Sequence, residues 1–147
     1  MTTSISASAV VSKLVEITGN VTIGDDTVVH PSCKILAEGG GSITIGSGCL
    51  IEELVVIRNT TDQPMQIGNE NVFEVGAVCE ASSVGNQNVF SARSEVGSEV
   101  TVGDRCVIGV TVKLSSNEKV ENGTIFWADS QALSIGRRVV PDREGPG

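Results

Sequence analysis

The stretch "TIGDDTVVHPSCKI", residues 22–35, decides the fold, because three aliphatic side chains in it stand six positions apart. They are Ile23, Val29 and Ile35. A step of six is neither the period of an α-helix, about 3.6 residues, nor the two-residue alternation of one strand. It indicates short strands separated by turns, repeated along the chain as six-residue units, which we call hexads.

The same step of six extends in both directions and covers most of the chain. Between Ile35 and Ile45, and again between Ile57 and Ile67, the step is longer; between Cys79 and Val84 it is one residue shorter. The full series is Ile5, Val11, Ile17, Ile23, Val29, Ile35, Ile45, Ile51, Ile57, Ile67, Phe73, Cys79, Val84, Phe90, Val96, Val102, Ile108, Leu114, Val120 and Phe126. A small or compact residue stands two positions before most members of this series. Since positions two apart share a strand face, each hexad supplies one large and one small inward side chain.

Glycine shows how many hexads make one turn of the structure. An aliphatic residue followed by glycine recurs every three hexads, at Gly24, Gly46, Gly68, Gly85 and Gly103. All three irregular joints fall between the third hexad of one turn and the first hexad of the following turn. The sequence therefore predicts an all-β protein, a parallel β-helix of about six to seven triangular coils. Similarity to known hexapeptide-repeat proteins implies that it is left-handed.

The repeat also predicts the domain organisation. Residues 1–128 form the hexapeptide-repeat β-helix, and residues 129–147, where the period is lost, form a C-terminal cap or tail that is partly disordered. Trp127 is expected to cover the last coil.

Composition excludes several classes of function. The formal net charge of −8 argues against nucleic acid or an anionic membrane as a partner, because both favour basic patches. No apolar run approaches the ~20 residues that span a bilayer, so direct membrane insertion is not expected. The four cysteines include no CxxC pair, which indicates neither a zinc site nor a redox dithiol.

Stacking of the coils predicts which polar residues become neighbours. Inside, Asn71 and Asn88 share a column in adjacent coils and are expected to form an amide ladder. Outside, His30, Glu52 and Glu74 fall in one column, about 5 Å apart per step. That column is a metal or acid–base site, a solvated polar corner, or a contact face for a partner. A further column places Arg58 beside Glu80 as a surface ion pair.

Hexapeptide solenoids include enzymes, and the single histidine limits which of them this chain resembles. A carbonic anhydrase of the gamma class binds zinc through three histidines, which one subunit of this chain does not have. An acyltransferase with His30 as general base remains an alternative, acting as a homotrimer. We favour a non-catalytic interaction platform, with no catalytic, cofactor-binding or metal-binding residue and no cofactor.

Three segments carry a resemblance to a known family. They are "VTIGDDTVVHPSCKILAEGGGSITIGSGCLIEE" at residues 21–53, "IGNENVFEVG" at 67–76 and "VGDRCVIGVTVKL" at 102–114. Their order, with both insertions at matching joints, resembles the dynactin subunit 6 family over about residues 5–128. The joint at 58–66 is shorter than in animal members, and the family's long C-terminal helix has no counterpart before Gly147.

The resemblance implies a left-handed β-helix without enzymatic activity in the pointed-end complex of dynactin. It implies a heterodimer with dynactin subunit 5, and contact with dynactin subunit 4 and the actin-related protein at the filament's pointed end. The implied role is cargo targeting in dynein-driven transport on microtubules, in the cytoplasm and associated with the cytoskeleton. The residues that we expect to contact partners are His30, Glu52, Glu74 and Arg58. An acyltransferase or a carbonic-anhydrase-like homotrimer stays open as the alternative.

Overall fold

The structure is a computed structural model that describes residues 2–129 and 134–141. Every coil in it is built from short β-strands. Within these residues there are 21 strands in three sheets and no helix. The first sheet contains β1 (Thr3–Ile5), β4 (Val21–Ile23), β7 (Ile43–Ile45), β10 (Met65–Ile67), β13 (Ser83–Val84), β16 (Thr101–Val102) and β19 (Lys119–Val120). The second contains β2 (Val10–Val11), β5 (Val28–Val29), β8 (Leu50–Ile51), β11 (Val72–Phe73), β14 (Val89–Phe90), β17 (Val107–Ile108), β20 (Thr124–Asp129) and β21 (Ser134–Val139). The third contains β3 (Glu16–Thr18), β6 (Lys34–Ala37), β9 (Val56–Asn59), β12 (Val78–Cys79), β15 (Glu95–Val96) and β18 (Lys113–Leu114).

Strands β1 to β20 go to the three sheets in turn, so the chain winds as a parallel β-helix of seven coils. The β-helix is left-handed. Each strand from β4 to β20 pairs in parallel with the strand three before it, and the register keeps the aliphatic series aligned. Ile23 pairs with Ile45, Val29 with Ile51, and Ile35 with Ile57. The predicted fold, its number of coils and its register are confirmed.

The inward columns form one continuous hydrophobic core. From Val21 to Phe126 the large inward side chains are at most 5% exposed. Phe73 and Phe90 stack in adjacent coils with ring centroids 4.5 Å apart and an interplanar angle of 6°. In the first coil Ile5 is 43% exposed, since no described coil covers it.

The glycine column marks the corner between the first and second sheets, where backbones approach closely. A Cβ on Gly24 would lie 2.7 Å from the carbonyl carbon of Gly46. The next position in this corner carries side-chain oxygens that bind the neighbouring coil. Asn86 Oδ1 accepts the Asn69 N–H at 2.7 Å, and Asp104 Oδ1 accepts the Asn86 N–H at 2.8 Å. Close approach, rather than positive φ, explains why these coils need glycine.

The C-terminal hairpin departs from the hexad pattern. β21 pairs antiparallel with β20 and so lies along the free edge of the second sheet. Strand alternation points Trp127 away from the core, where its indole lies over Gly136. The expectation that Trp127 covers the last coil is wrong; the Arg137 guanidinium covers the Phe126 ring at 4.7 Å and pairs with Glu118. The hexad count does not predict β21. The C-terminal cap or tail is expected to be partly disordered over residues 129–147, and residues 130–133 and 142–147 of that segment lie outside the described residues.

Candidate interaction surface

The corner after the second sheet brings three of the sequence-predicted contact residues together. We call it the His30 corner: His30, Glu52, Glu53 and Glu74. The His30 N–H donates to Ile51 O, the Glu52 N–H to Phe73 O and the Glu74 N–H to Phe90 O, at 2.8–2.9 Å. Because these bonds belong to the coil ladder, His30, Glu52 and Glu74 occupy one column in successive coils.

The side chains of this corner are held in part by other groups. His30 Nδ1 lies 3.1 Å from Glu53 Oε1, a residue that the column argument does not identify. Glu74 Oε1 accepts the Ala92 N–H of the next coil at 3.1 Å. Both contacts reduce the freedom of these side chains, so the corner presents polar groups from a rigid backbone.

Arg58 lies elsewhere, on the outward face of the third sheet, and does not join the His30 corner. Its Nη1 is 3.2 Å from Glu80 Oε2, which confirms the predicted pair. Its Nε is 3.1 Å from Glu38 Oε1, a second partner that the sequence columns do not identify. The Arg58 side chain is 35% exposed, so solvent screens both pairs and their contribution to stability is small.

Two insertions project at the corner between the third and first sheets, and we call them the ridge: residues 38–42 and 59–64. The buried Asn59 organises it. Asn59 Nδ2 donates to Ser42 O at 3.0 Å and to Gln63 O at 2.7 Å, while its Oδ1 accepts the Thr61 N–H at 3.0 Å. The Gly41 N–H donates to Thr61 O, which joins the two insertions through the backbone. The ridge is therefore part of the rigid solenoid.

The cysteines are all buried free thiols in the coil interior. Burial raises the pKa of the Cys79 thiol to about 12, and burial also raises the pKa of Cys33, Cys49 and Cys106. These thiols are protonated at neutral pH, so they are poor nucleophiles and poor metal ligands there.

Two further findings concern the described part of the chain. No three His, Cys, Asp or Glu side chains in residues 2–129 and 134–141 are grouped so that they could hold a metal ion. The same residues include no helix that is long and apolar enough to cross a membrane. The His30 corner and the ridge present polar groups at fixed positions on a rigid solenoid. Groups held in this way are suited to contacting another protein surface.

Comparison with known proteins places this geometry in context. The chain is 40% identical to dynactin subunit 6 of Nematostella vectensis over 153 residues, which covers 97% of this chain and 80% of the relative. It is also 40% identical to dynactin subunit 6 of Danio rerio, covering 97% and 76%. A carbonic anhydrase of Methanosarcina thermophila is more distant, at 26% identity over 94% of this chain and 55% of that protein. No family model matches.

Solved structures support the fold. The acetyltransferase domain of PglB from Neisseria gonorrhoeae superposes with a TM-score of 0.64. The superposition covers 85% of this chain and 54% of that chain, at 14% sequence identity. An identity this low relates the two proteins by architecture and not by activity.

Proposed function

The chain belongs to the dynactin subunit 6 family, and from this premise we propose that it is a non-catalytic scaffold subunit of the dynactin pointed-end complex. In this role it supports cargo targeting for dynein-driven transport along microtubules, in the cytoplasm and associated with the cytoskeleton. Its partners are dynactin subunit 5, with which it forms a heterodimer, and then dynactin subunit 4 and the actin-related protein. The observation that carries the proposal is 40% identity over 97% of the chain.

The structure supports a scaffold role through rigidity. A solenoid holds each polar column at a fixed spacing, because the first six coils are bonded to one another along all three sheets. A partner can therefore bind several columns at once without a large cost in conformational entropy.

The proposed contact residues are His30, Glu52 and Glu74 in the His30 corner, together with Arg58. Replacing Glu52 and Glu74 by lysine reverses the charge of this corner, and we expect weaker binding of dynactin subunit 5 with an unchanged fold. The measurement is light scattering on a sizing column, for the chain alone and mixed with subunit 5, followed by titration of the complex. Circular dichroism checks that the variant retains its β structure.

A matched control separates local charge from total charge. Replacing Glu16 and Glu99, two exposed residues outside the His30 corner, by lysine changes the net charge by the same amount. If both double variants bind equally well, the His30 corner is solvated surface and not the contact. If the unmodified chain forms no complex with subunit 5, the proposed heterodimer is wrong.

One geometric observation favours a second candidate, a hexapeptide acyltransferase. The Glu53 carboxylate holds His30 Nδ1 at 3.1 Å, the arrangement that orients an imidazole as a general base. The test is release of free thiol from acetyl-coenzyme A with and without amino-sugar acceptors. Turnover that His30→Asn abolishes would establish the enzyme, and equal background rates for both proteins would exclude it for those acceptors.

A further inference from the structure

The corner after the second sheet turns through a left-handed residue in five successive coils. Those residues are Ser32, Leu54, Gly76, Arg93 and Thr111, with φ between 58° and 73°. The N–H groups of the last three each donate to a carbonyl oxygen of the preceding coil, at 3.0–3.1 Å. Because the same hydrogen bond recurs along the column, the pairing of the coils imposes this conformation whatever residue occupies it. For residues other than glycine the left-handed region costs free energy.

Leu54 is the residue of this column whose side chain the fold does not explain. It is 58% exposed, the most exposed large apolar side chain in residues 21–96, all of which the structure describes. A leucine stabilises a fold by leaving water, but most of Leu54 stays in water. Serine and glycine occupy the same position in the coils on either side. The coil therefore carries an apolar side chain that neither the core nor the turn requires.

The surroundings of Leu54 have the composition of a protein–protein contact. Pro31 and Val75, in the coils on either side, occupy the position directly before that of Leu54 and are partly exposed. We call Pro31, Leu54 and Val75 the Leu54 cluster. The polar residues of the His30 corner stand beside it in the same three coils. Protein interfaces commonly place an apolar centre inside a polar rim that excludes water.

We propose that Leu54 is the anchor through which the His30 corner binds its partner, and that it enters an apolar pocket bordered by cationic side chains. This role of Leu54 rests on the proposed function, with dynactin subunit 5 as the partner. Three carboxylates of the His30 corner lie beside the cluster, and the turns at 30–33, 52–55 and 74–77 contain no lysine or arginine. A cationic rim on the partner complements this charge. The coils fix the backbone of Leu54, so binding orders little of the chain.

Leu54→Asn separates binding from stability, because asparagine adopts left-handed backbone more readily and has no apolar side chain. We expect the dissociation constant for dynactin subunit 5, measured by titration calorimetry, to rise by about tenfold or more. The melting temperature of the chain alone should stay the same or rise, since relief at the turn offsets the small apolar contact. A leucine that serves only the fold would give a lower melting temperature and an unchanged dissociation constant.

Three controls isolate the side chain of Leu54. Thr111→Asn changes the same turn position in a later coil, and Val56→Thr removes outward apolar surface from the third sheet of the same coil. Both should leave the dissociation constant unchanged. Leu54→Met keeps an apolar side chain of similar volume, so it should retain the affinity to within about threefold.

Salt distinguishes the apolar anchor from its charged rim. Sodium chloride screens the carboxylates, so the wild-type dissociation constant should rise between about 50 and 500 mM salt. Leu54→Asn keeps every carboxylate and should show the same fold-increase. The double variant Glu52→Lys with Glu74→Lys should lose this salt dependence. A salt dependence that Leu54→Asn abolishes would show that the substitution disturbs the whole corner, and the anchor would be wrong.

The failures of the two proposals are distinguishable. A wild-type chain that does not bind dynactin subunit 5 overturns the proposed heterodimer and, with it, this role of Leu54. If the wild type binds and Leu54→Asn binds as tightly, the anchor is wrong and the proposed function stands. If Leu54→Asn lowers the melting temperature together with the affinity, or if Val56→Thr weakens binding equally, Leu54 supports the fold and is not the anchor.

Discussion

Asn88 Nδ2 lies 3.0 Å from Asn71 Oδ1, so two side-chain amides hydrogen bond to each other inside the apolar core of adjacent coils. Both residues are fully buried. Asn71 Nδ2 also donates to Gly85 O at 2.8 Å, and Asn88 Nδ2 donates to Gly103 O at 2.9 Å. Asn88 Oδ1 accepts the Cys106 N–H at 2.7 Å. The amides therefore satisfy backbone groups at the corner where the coils turn from the first sheet to the second.

Asn88→Ala should destabilise the solenoid by about 2 to 4 kcal/mol. The substitution leaves Gly103 O and the Cys106 N–H without their partner in a site that water cannot reach easily, and each orphaned group costs about 1 to 3 kcal/mol. Urea unfolding followed by circular dichroism measures the change.

Asn69→Ala provides the contrast, because Asn69 occupies the exposed column of the same corner, where its Oδ1 accepts the Ser47 N–H at 2.8 Å. Water can replace that acceptor, so a loss of about 1 kcal/mol or less is expected. Equal losses in the two variants would contradict the role that burial plays in this argument.

A polar substitution at Ile51 tests the register of the core, because this side chain is completely buried. Ile51→Asp places an unpaired carboxylate between coils, and we expect a loss of about 4 kcal/mol or more, or failure to fold. Thermal unfolding measures the effect. Thr44→Asp, at an outward position of the same coil, should change the melting temperature little. A normal melting temperature for Ile51→Asp would show that the hexad register is wrong.

Much of the fold was predictable because each coil obeys a local rule. The step of six places one residue of every hexad inward, and stacking then fixes which hexads pair. This reasoning identified the Asn71–Asn88 ladder and the Arg58–Glu80 pair. It missed Asn59, although the strand alternation of Ile57 inward, Arg58 outward and Asn59 inward was available as a signal.

The remaining features depend on contacts that a repeat does not encode. β21 pairs antiparallel with β20 and carries no hexad, so the period gives no sign of it. The His30–Glu53 contact joins positions in different columns, and side-chain reach, rather than spacing, decides it. Partner contacts at the His30 corner stay a prediction, because a polar column looks the same whether solvent or protein covers it.

The C-terminal hairpin depends on a glycine facing the only tryptophan of the chain. Trp127 and Gly136 are cross-strand neighbours, and a Cβ on Gly136 would overlap the indole ring. Gly136→Ala should therefore displace the indole and loosen β21 without unfolding the coils. Tryptophan emission should shift to longer wavelength, while the melting temperature of the β-helix falls by only a few degrees. A Val139→Ala control, at the other end of β21 and opposite Thr124, should leave the emission unchanged. An unchanged spectrum for Gly136→Ala would show that the ring does not lie there.

The buried thiol of Cys79 makes the free energy of unfolding depend on pH. Burial raises the pKa of its thiol from the ordinary 9.0 to about 12, so the folded protein keeps this proton at pH values where the unfolded chain loses it. The contribution to stability is therefore complete below pH 9 and declines as the pH rises from 9 towards 12. The slope reaches at most about 1.4 kcal/mol per pH unit.

Comparison with Cys79→Ala isolates this term from other groups that titrate in the same range. The free energy of unfolding in urea, measured at about pH 8 and again at about pH 10.5, should show the wild type losing more stability than the variant. Val96→Ala, which removes apolar volume from the neighbouring coil but no titratable group, should lose as much as the wild type between the two pH values. If Cys79→Ala and the wild type lose stability in parallel, burial does not hold the thiol in its protonated form. The inward side chains of the third sheet would then be packed differently from the arrangement described.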